Sequence, residues 1–383
     1  MGVDKAYGRD IMALKTIPKS TAGDSLFYIF VKSTLMHDGG RCLERDKIVG
    51  ITIKDIAAKS NVSCSTVSRV ISNNPNVSRV TREKVEKAIK ELGYNPSHIA
   101  RGLVTGKIDV VALIVGDIRN PFYAELTRVI RETLSKFGYL TVLSESDYDA
   151  AKEENYIRSV AGYGFSGIIM FTAMETQSLI NQLENLACPV VLLNRYLPSY
   201  ETDVVAVDNY LGGFMAARHL LELKHHKVAV LIGPRESSAS SERLRGFKDG
   251  YREHGIGIPE ERIIYGNLKM DSGYQFAHRL VEEKGNISAV FCGNDLMAIG
   301  LMEGLDKYNL RVPEDFSIVG YDDIDMGSLI KVKLTTVSQP VQEMGKMAAE
   351  ILTERMRGSG GSYRRIMLTP RLIVRESTME YRD

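Results

Sequence analysis

The spacing of apolar residues along this chain changes near residue 107. Between residues 52 and 92, apolar side chains recur every three or four positions in short runs, as they do on one face of a helix. Beyond residue 107, continuous apolar runs such as Val110–Val115 alternate with longer stretches of helical spacing. A continuous apolar run bounded by turns is typical of a strand buried on both faces in a parallel sheet. The pattern therefore predicts a small helical unit followed by a larger α/β unit.

Three helices are predicted in the upstream unit. Thr52 lies three residues before Asp55, in the arrangement of a capping box, and starts the first helix. Ser63 is placed to cap the second helix, and Gly93 ends the third, which is predicted from Thr81. Two short helices joined by a turn of three or four residues, with a third helix bracing them, form a helix-turn-helix.

The downstream unit contains two successive series of strands and helices. In the first series, strands are predicted at 110–115, 139–143, 167–171 and 189–194, with helices at 120–137, 149–162 and 175–186. In the second, helices are predicted at 209–223, 241–255, 271–284 and 295–307, with strands at 227–232, 262–265, 288–292 and 316–320. A helix at 341–356 and a last strand at 366–377 follow. This alternation predicts an α/β core of two lobes, each a doubly wound parallel sheet, with a ligand cleft outside the carboxyl ends of the strands.

Charge is distributed unevenly between the two units. Residues 50–107 contain ten Lys or Arg and four acidic residues, a net charge of +6, whereas the whole chain carries only +1. The remainder is therefore acidic at −5. A basic helical module beside an acidic body indicates that the module alone binds a polyanion. A solvated charged face on an ordinary helical cap is the alternative.

The upstream unit resembles the headpiece of the LacI/GalR family of bacterial transcription regulators. The resemblance is carried by Thr52–Ala57, Val62-Ser63, Thr66–Val70, Thr81–Val85 and Leu92–Pro96. It continues downstream through Asn120–Tyr123, Gly293–Gly300, Arg311–Asp315 and Val319–Asp323, and covers about residues 50 to 380. It implies a core similar to periplasmic sugar-binding proteins, in which the chain crosses between the lobes three times, here near Asp208, Ser338 and Pro370.

These observations predict four segments. Residues 1–49 form an uncharacterised N-terminal extension, 50–96 the headpiece, 97–107 a hinge helix with linker, and 108–383 the core, with lobe 1 at about 108–208 and 338–370 and lobe 2 at about 209–337 and 371–383. The first 48 or so residues are either a lineage-specific extension or an upstream stretch included by a misassigned start. Met36 and Val49 are the candidate starts.

Base readout is assigned first to Cys64, Ser65 and Arg69, near the start and on one face of the second helix. Arg69 either makes a bidentate contact to guanine or clamps a phosphate. The resemblance implies that residues 97–104 form a hinge helix whose Leu103 wedges into the minor groove, a plain linker being the alternative. The remaining predicted DNA-contacting residues are Thr52, Ser63, Thr66, Ser68, Asn76, His98, Ala100 and Arg101.

Arg243 and Asp295 are the principal candidates in the cleft. Arg243 takes the place of the family's ligand-binding arginine, and Asp295 begins a helix after a strand, where it either accepts ligand hydroxyls or caps the helix. An arginine and an acid near strand ends suit a polyol. Where purine-binding relatives carry a further arginine, this chain has Ser237, which favours a sugar. The other predicted ligand residues are Phe122 and Tyr123, which either stack on a sugar or pack the lobe, together with Asn194, Arg195 and Asn294.

Composition limits the remaining classes of function. The 383 residues, 44% hydrophobic and 25% charged, suit a globular protein of two or three domains. No apolar run reaches the length of a membrane helix, and four scattered cysteines (42, 64, 188 and 292) indicate free thiols in a reducing cytoplasm. No carboxylate pair or nucleophile with a neighbouring base is evident, so no catalytic site, metal or cofactor is expected.

The combined prediction is a cytoplasmic repressor, dimeric or tetrameric, that binds a near-palindromic DNA operator under the control of a sugar or sugar phosphate. Two alternatives remain: a family member controlled by a phosphorylated carrier protein, and a solute-binding protein. The sequence leaves the effector, the operator and the sign of the response open.

Overall fold

The computed structural model describes residues 51–71, 74–93, 108–282 and 286–382. The chain divides into two compact units on either side of residue 95. Within the described residues, no helix is both long and apolar enough to cross a bilayer.

The described residues of the upstream unit form a bundle of three helices, α1 (Ile53–Ser60), α2 (Cys64–Ile71) and α3 (Arg79–Leu92). The predicted helix starts at Thr52 and Ser63 are confirmed. Helix α3 begins two residues earlier than predicted, because the hydroxyl of Ser78 accepts a hydrogen bond from the backbone of Thr81 and so caps the helix. Gly93 ends α3 in the left-handed conformation (φ +65°), which a glycine adopts without strain.

A small apolar core holds the three helices together. Its fully buried members come from every helix: Ile56, Ala57, Val67, Val70, Val85 and Ala88. An ion pair of 2.9 Å between Lys59 and Glu91 joins α1 to α3 at the surface. Because this pair is about half exposed, the apolar core rather than the charge pair stabilises the bundle.

The first sheet of the downstream unit has six parallel strands in the order β11-β5-β4-β3-β1-β2. They are β1 (Ile108–Val115), β2 (Leu140–Glu145), β3 (Phe165–Met170), β4 (Val190–Leu193), β5 (Asp203–Val207) and β11 (Arg365–Leu368). Its helices are α4 (Pro121–Lys136), α5 (Ala150–Tyr163), α6 (Gln177–Glu184) and α12 (Val341–Met356). We refer to these elements as the first lobe.

The second sheet also has six strands, in the order β12-β10-β9-β8-β6-β7, and all pairs are parallel except β10 with β12. The strands are β6 (Val228–Ile232), β7 (Ile263–Tyr265), β8 (Ala289–Cys292), β9 (Ser317–Asp322), β10 (Thr335–Ser338) and β12 (Arg371–Ile373). The helices are α7 (Asn209–Glu222), α8 (Ser238–Arg252), α9 (Met270–Glu282), α10 (Asp295–Lys307) and the short α11 (Asp325–Leu329). These elements form the second lobe.

Both faces of the first sheet are covered by helices. Along β1, Val111 and Leu113 pack in one apolar cluster with α4 and α12, whereas Ala112 and Ile114 pack in another with α5 and α6. A strand buried on both faces must be apolar at every position, which accounts for the continuous apolar runs in the sequence. The predicted α/β fold with two parallel sheets is confirmed.

The chain passes between the lobes three times. It leaves the first sheet after β5, returns after β10, and leaves again between β11 and β12. The predicted single strand at 366–377 is therefore wrong: it is two short strands in different sheets, separated by Thr369-Pro370. Strands β5 and β10 and helix α11 were not predicted, because each is too short to show a period.

Glycines allow helices α7 and α8 to pack backbone to backbone. A Cβ atom at Gly213 would overlap the carbonyl oxygen of Arg243, and one at Gly246 would overlap that of Tyr210. The close contact matters for function because it sets Arg243 beside the first turn of α7.

We expect Gly246→Ala to lower the free energy of unfolding by about 1–3 kcal/mol, because the added methyl group forces α7 and α8 apart. Gly162→Ala is the matched control, since that helical glycine has open space around its Cβ position. The control should change stability by less than about 1 kcal/mol, in the stabilising direction. Urea denaturation followed by circular dichroism measures both, and equal stability of the two variants would contradict the packing argument.

Candidate functional site

One face of α2 is open to solvent. Cys64, Ser65, Ser68 and Arg69 are exposed, whereas Val67 and Val70, on the opposite face, are buried in the bundle core. Short polar side chains and one guanidinium on an outward face at the start of a helix have the form of a surface that enters a DNA groove.

The neighbouring predicted residues have local roles in the helix ends. The carboxylate of Asp55 accepts hydrogen bonds from the backbone and hydroxyl of Thr52, at 2.8 and 2.7 Å, and the first of these holds the pKa of Asp55 below its usual value. The hydroxyl of Ser63 accepts from the backbone N–H of Thr66.

Asn76 and the residues of the predicted hinge helix complete the predicted DNA contacts. Asn76 is exposed in the turn before α3, where its backbone N–H donates to the side chain of Asn74. The predicted hinge contacts lie outside the described residues: His98, Ala100, Arg101 and Leu103.

The two lobes meet at the carboxyl ends of their strands. The ammonium of Lys269, in the second lobe, forms a 2.6 Å ion pair with Asp147, which follows β2 in the first lobe. The backbone N–H of Tyr196 donates to the hydroxyl of Ser238 across the same boundary. The loops that follow the strands therefore enclose a cleft between the lobes.

Arg243 lies in the wall of the cleft that the second lobe provides. It is 5% exposed, and its Nε donates to Asn209 Oδ1 at 2.8 Å while Nη1 donates to the carbonyl of Gly293 at 2.5 Å. Its guanidinium stacks on the ring of Tyr321, 3.6 Å from the ring centre. The side chain is thus held in one orientation before any ligand arrives.

The acidic partner of Arg243 is Asp322, at the end of β9. One carboxylate oxygen lies 3.8 Å from Arg243 Nη1 and accepts a 2.7 Å hydrogen bond from Gln339. The backbone of Asp322 is in the left-handed region (φ +116°), which turns the chain sharply at the strand end. Asp322 was not among the predicted site residues, although its position at the end of an apolar strand was a usable signal.

Burial raises the pKa of Asp322 to about 6, against the opposing effect of Arg243 and of hydrogen bonds from Gln339 and Asn120. Asn120 belongs to the first lobe and Gln339 to the segment that links the second lobe back to the first. Asp322 therefore responds to groups on both sides of the cleft.

The structure shows what Asp295 contacts inside the second lobe, whereas its contact with a ligand stays a prediction. This side chain is fully buried, and its two oxygens accept hydrogen bonds from the hydroxyl of Thr336 (2.6 Å) and the backbone of Ile324 (2.9 Å). Its pKa is raised well above the usual value by burial. Asp295 fastens the loop after β9 to β10, and it neither pairs with Arg243 nor caps α10.

Asn294 caps α10 instead. Its Oδ1 accepts from the backbone of Met297 at 3.0 Å, and its amide donates to the carbonyl of Leu268 at 2.9 Å. Both ends of the amide are therefore used inside the lobe, where Asn294 positions the helix, and its contact with a ligand stays a prediction.

Phe122 and Tyr123 are core residues of the first lobe. They are 3% and 4% exposed and contact each other edge to face, and Tyr123 stacks on Phe171. Both rings therefore pack within the lobe, and the alternative that they stack on a sugar stays a prediction. Tyr123 also contacts Tyr148, a second aromatic residue after β2.

Asn194 and Arg195 follow β4 at the edge of the first sheet that faces the cleft. Both are buried, at 4% and 2% exposed, yet Asn194 Oδ1 and the Nε and Nη1 of Arg195 have no hydrogen-bond partner among the described residues. Buried polar atoms of this kind are rare in folded proteins. They mark a place where a bound molecule can complete the hydrogen bonding.

Two family models match the sequence. "Bacterial regulatory proteins, lacI family" matches residues 52–97, and "Periplasmic binding protein-like domain" matches residues 217–378. The HTH-type transcriptional regulator DegA of Bacillus subtilis is 34% identical over 85% of this chain and 98% of its own length. The HTH-type transcriptional repressor PurR of Vibrio vulnificus is 35% identical, with coverage of 85% and 98%.

Solved structures agree with these matches. The transcriptional regulator CelR in complex with cellobiose has a TM-score of 0.66 at 32% identity and covers 85% of this chain and 99% of its own. The Lac repressor dimer bound to operator and the anti-inducer ONPF has a TM-score of 0.76 at 26% identity, with coverage of 86% and 99%.

Titration of Asp322 should make stability depend on pH. Because the pKa of Asp322 is raised from 3.8 to about 6, the folded state binds its proton more tightly than the unfolded state does. The resulting contribution to the free energy of unfolding is complete below pH 4 and is lost as the pH rises to about 6. Asp322→Asn removes the titrating group, so the variant does not lose stability through this proton as the pH rises. The free energy of unfolding of the variant minus that of the parent should therefore rise between pH 4 and 6.5 by up to about 3 kcal/mol. Urea denaturation across this range measures the difference, and a difference independent of pH would contradict the assignment.

Proposed function

Because the chain belongs to the lacI family of bacterial regulatory proteins, we propose that it is a transcription repressor whose cleft binds a small polyhydroxylated effector, a sugar or sugar derivative. Two copies bind a near-palindromic operator, since two half-sites require a two-fold protein. The chain acts as a regulator and not as an enzyme.

The exposed face of α2 supports DNA binding. A guanidinium at position 69 suits guanine, whose O6 and N7 accept two hydrogen bonds, while Ser65 and Ser68 donate to bases or phosphates. The excess positive charge of residues 50–107 adds a contribution that is independent of sequence and sensitive to salt. In this proposal Thr52, Ser63 and Thr66 contact phosphates through their exposed ends.

The buried pair of Arg243 and Asp322 is the single observation that carries the effector proposal. A fixed donor and a fixed acceptor side by side match the hydroxyl and ring oxygens of a sugar, which both donate and accept. In this proposal Arg195 and Asn194 contact the ligand from the first lobe.

Regulation follows from the placement of these groups on two lobes. A ligand that contacts both lobes binds one lobe arrangement more tightly than the other. It therefore stabilises that arrangement by the difference between the two binding free energies. That difference in free energy is the upper limit for any change in operator affinity. The direction of the change, release or recruitment, depends on which lobe arrangement favours DNA binding.

We expect Arg69→Ala to weaken binding to the specific operator by about 1–3 kcal/mol while binding to random DNA changes much less. Lys87→Ala is the matched control, because it removes one exposed positive charge from α3 rather than α2. Fluorescence anisotropy with an operator selected from genomic fragments measures both variants. Equal losses on operator and random DNA would identify Arg69 as a phosphate clamp.

We expect Asp322→Ala to bind the operator within a few-fold of the parent in the absence of effector but to lose the response to the effector. Loss of a charged acceptor should weaken effector binding by at least about tenfold. Glu222→Ala, on the exposed face of α7, is the control. DNA titrations with and without a sugar found by thermal-shift screening measure the response, and an unaltered response in Asp322→Ala would place the effector site elsewhere.

A further inference from the structure

Arg195 carries a buried positive charge that no acid neutralises. Its side chain is 2% exposed, and within the described part of the chain it forms no ion pair. Two of its nitrogens also lack a hydrogen-bond acceptor. A buried guanidinium is normally paired with a carboxylate and has its N–H groups satisfied, because an uncompensated charge in a protein interior is strongly destabilising.

The other charges at the cleft are already matched. Arg243 is balanced by Asp322, at 3.8 Å. At the rim, Lys269 pairs with Asp147, and Asp117 pairs with Arg119 at 2.8 Å. Two further buried acids are occupied by hydrogen bonds within their own lobes: Asp295, whose pKa is raised, in the second lobe, and Glu153, which accepts from Ser146 and the backbone of Met174, in the first.

Arg195 lies close to the groups that line the cleft. The pKa of the Tyr148 phenol is raised well above its usual value, mainly by burial, and Arg195 opposes this rise while Asp322 adds to it. Tyr148 is therefore within electrostatic reach of both side chains. Arg195 follows β4 in the first lobe and Asp322 ends β9 in the second, so the two charges belong to different lobes.

Neutral acceptors without partners accompany this charge. Asn194 Oδ1 and Gln339 Oε1 are buried and accept no hydrogen bond from any residue that the structure describes. Both can accept hydrogen bonds from ligand hydroxyls. The cleft thus offers one unpaired cation and two unpaired neutral acceptors, which calls for a ligand with an anionic group and several hydroxyls.

Asn194 is important because its neutral amide leaves the positive charge of Arg195 unmatched. Asn194 has a left-handed backbone (φ +68°), a conformation that asparagine and aspartate tolerate better than other residues with a side chain. An aspartate would fit the same backbone and supply the missing negative charge next to Arg195. With asparagine there, the negative charge has to come from the bound molecule.

We propose that the effector is an anionic polyol, a sugar acid or a sugar phosphate, whose charged oxygens bind Arg195. This inference rests on the proposed function of the cleft as the effector site. A carboxylate or phosphate oxygen would satisfy the free N–H groups of Arg195 through charge-assisted hydrogen bonds. A neutral sugar of the same shape would leave the charge buried and unmatched, so it should bind more weakly.

Matched ligand pairs test the proposal. Isothermal titration calorimetry and thermal unfolding would compare D-glucuronate with D-glucose, D-galacturonate with D-galactose, and D-glucose 6-phosphate with D-glucose, all at constant ionic strength. Inorganic phosphate alone serves as a minimal anion. We expect at least one anion to bind more than about tenfold tighter than its neutral counterpart. The affinities of the uronates and of the sugar phosphate, compared with each other, show whether the site requires a carboxylate or a phosphate.

Three variants connect the preference to the site. Arg195→Met should abolish the advantage of the anion, whereas Arg158→Met, which removes an exposed charge from α5 of the same lobe, should leave it unchanged. Asn194→Asp should raise the melting temperature of the protein without ligand and weaken anion binding by at least about tenfold. If Arg195→Met fails to fold, Asn194→Asp decides the question alone.

The outcomes separate this inference from the proposed function. A neutral sugar that binds as tightly as its acid and alters operator binding would overturn the anionic preference and leave the effector role intact. The preference is also overturned if neither the sugar anions nor inorganic phosphate stabilise the parent protein, or if Asn194→Asp binds them unchanged. Failure of every sugar to bind in the cleft, with unaltered operator binding, would overturn both.

Discussion

The cleft of this protein depends on the buried pairing of Arg243 with Asp322. Removing both charges from water is costly, and the attraction between them at 3.8 Å does not by itself offset that cost. The pair is tolerated because Asn209, the carbonyl of Gly293, the Tyr321 ring and Gln339 satisfy the remaining donors and acceptors. Such an arrangement contributes little to stability, so its value lies in holding two charged groups ready for a ligand.

Backbone packing between α7 and α8 determines where that pair lies. Gly213 and Gly246 bring α7 and α8 into direct contact, which sets Arg243 against Asn209. The left-handed backbone of Asp322 turns its carboxylate toward the same point from β9. Rigid elements therefore position both partners, and a displacement of either lobe changes the groups that surround them.

The predicted cleft residues include one of two acids that follow buried strands of the second lobe and omit the other. Asp295 and Asp322 both follow buried strands, at the carboxyl ends where a cleft is expected. Only the packing of Gly320 against Asp295, and the hydrogen bonds from Thr336 and Ile324, show that Asp295 is fully occupied within its lobe. Aromatic residues present the same problem, since Phe122 and Tyr123 proved to be core residues.

The sequence by itself determined the helix-turn-helix, the two α/β lobes and the outward face of α2, because each depends on local periodicity and on caps that act within a few residues. Only the tertiary structure decided which strands pair, since short strands such as β5, β10 and β12 have no period of their own and acquire their place from neighbours distant in sequence. The tertiary structure also decided which charged side chains have an oppositely charged partner. The sequence placed Asn194 and Arg195 at the mouth of the cleft, and only the tertiary structure shows that both are buried with unpaired polar atoms.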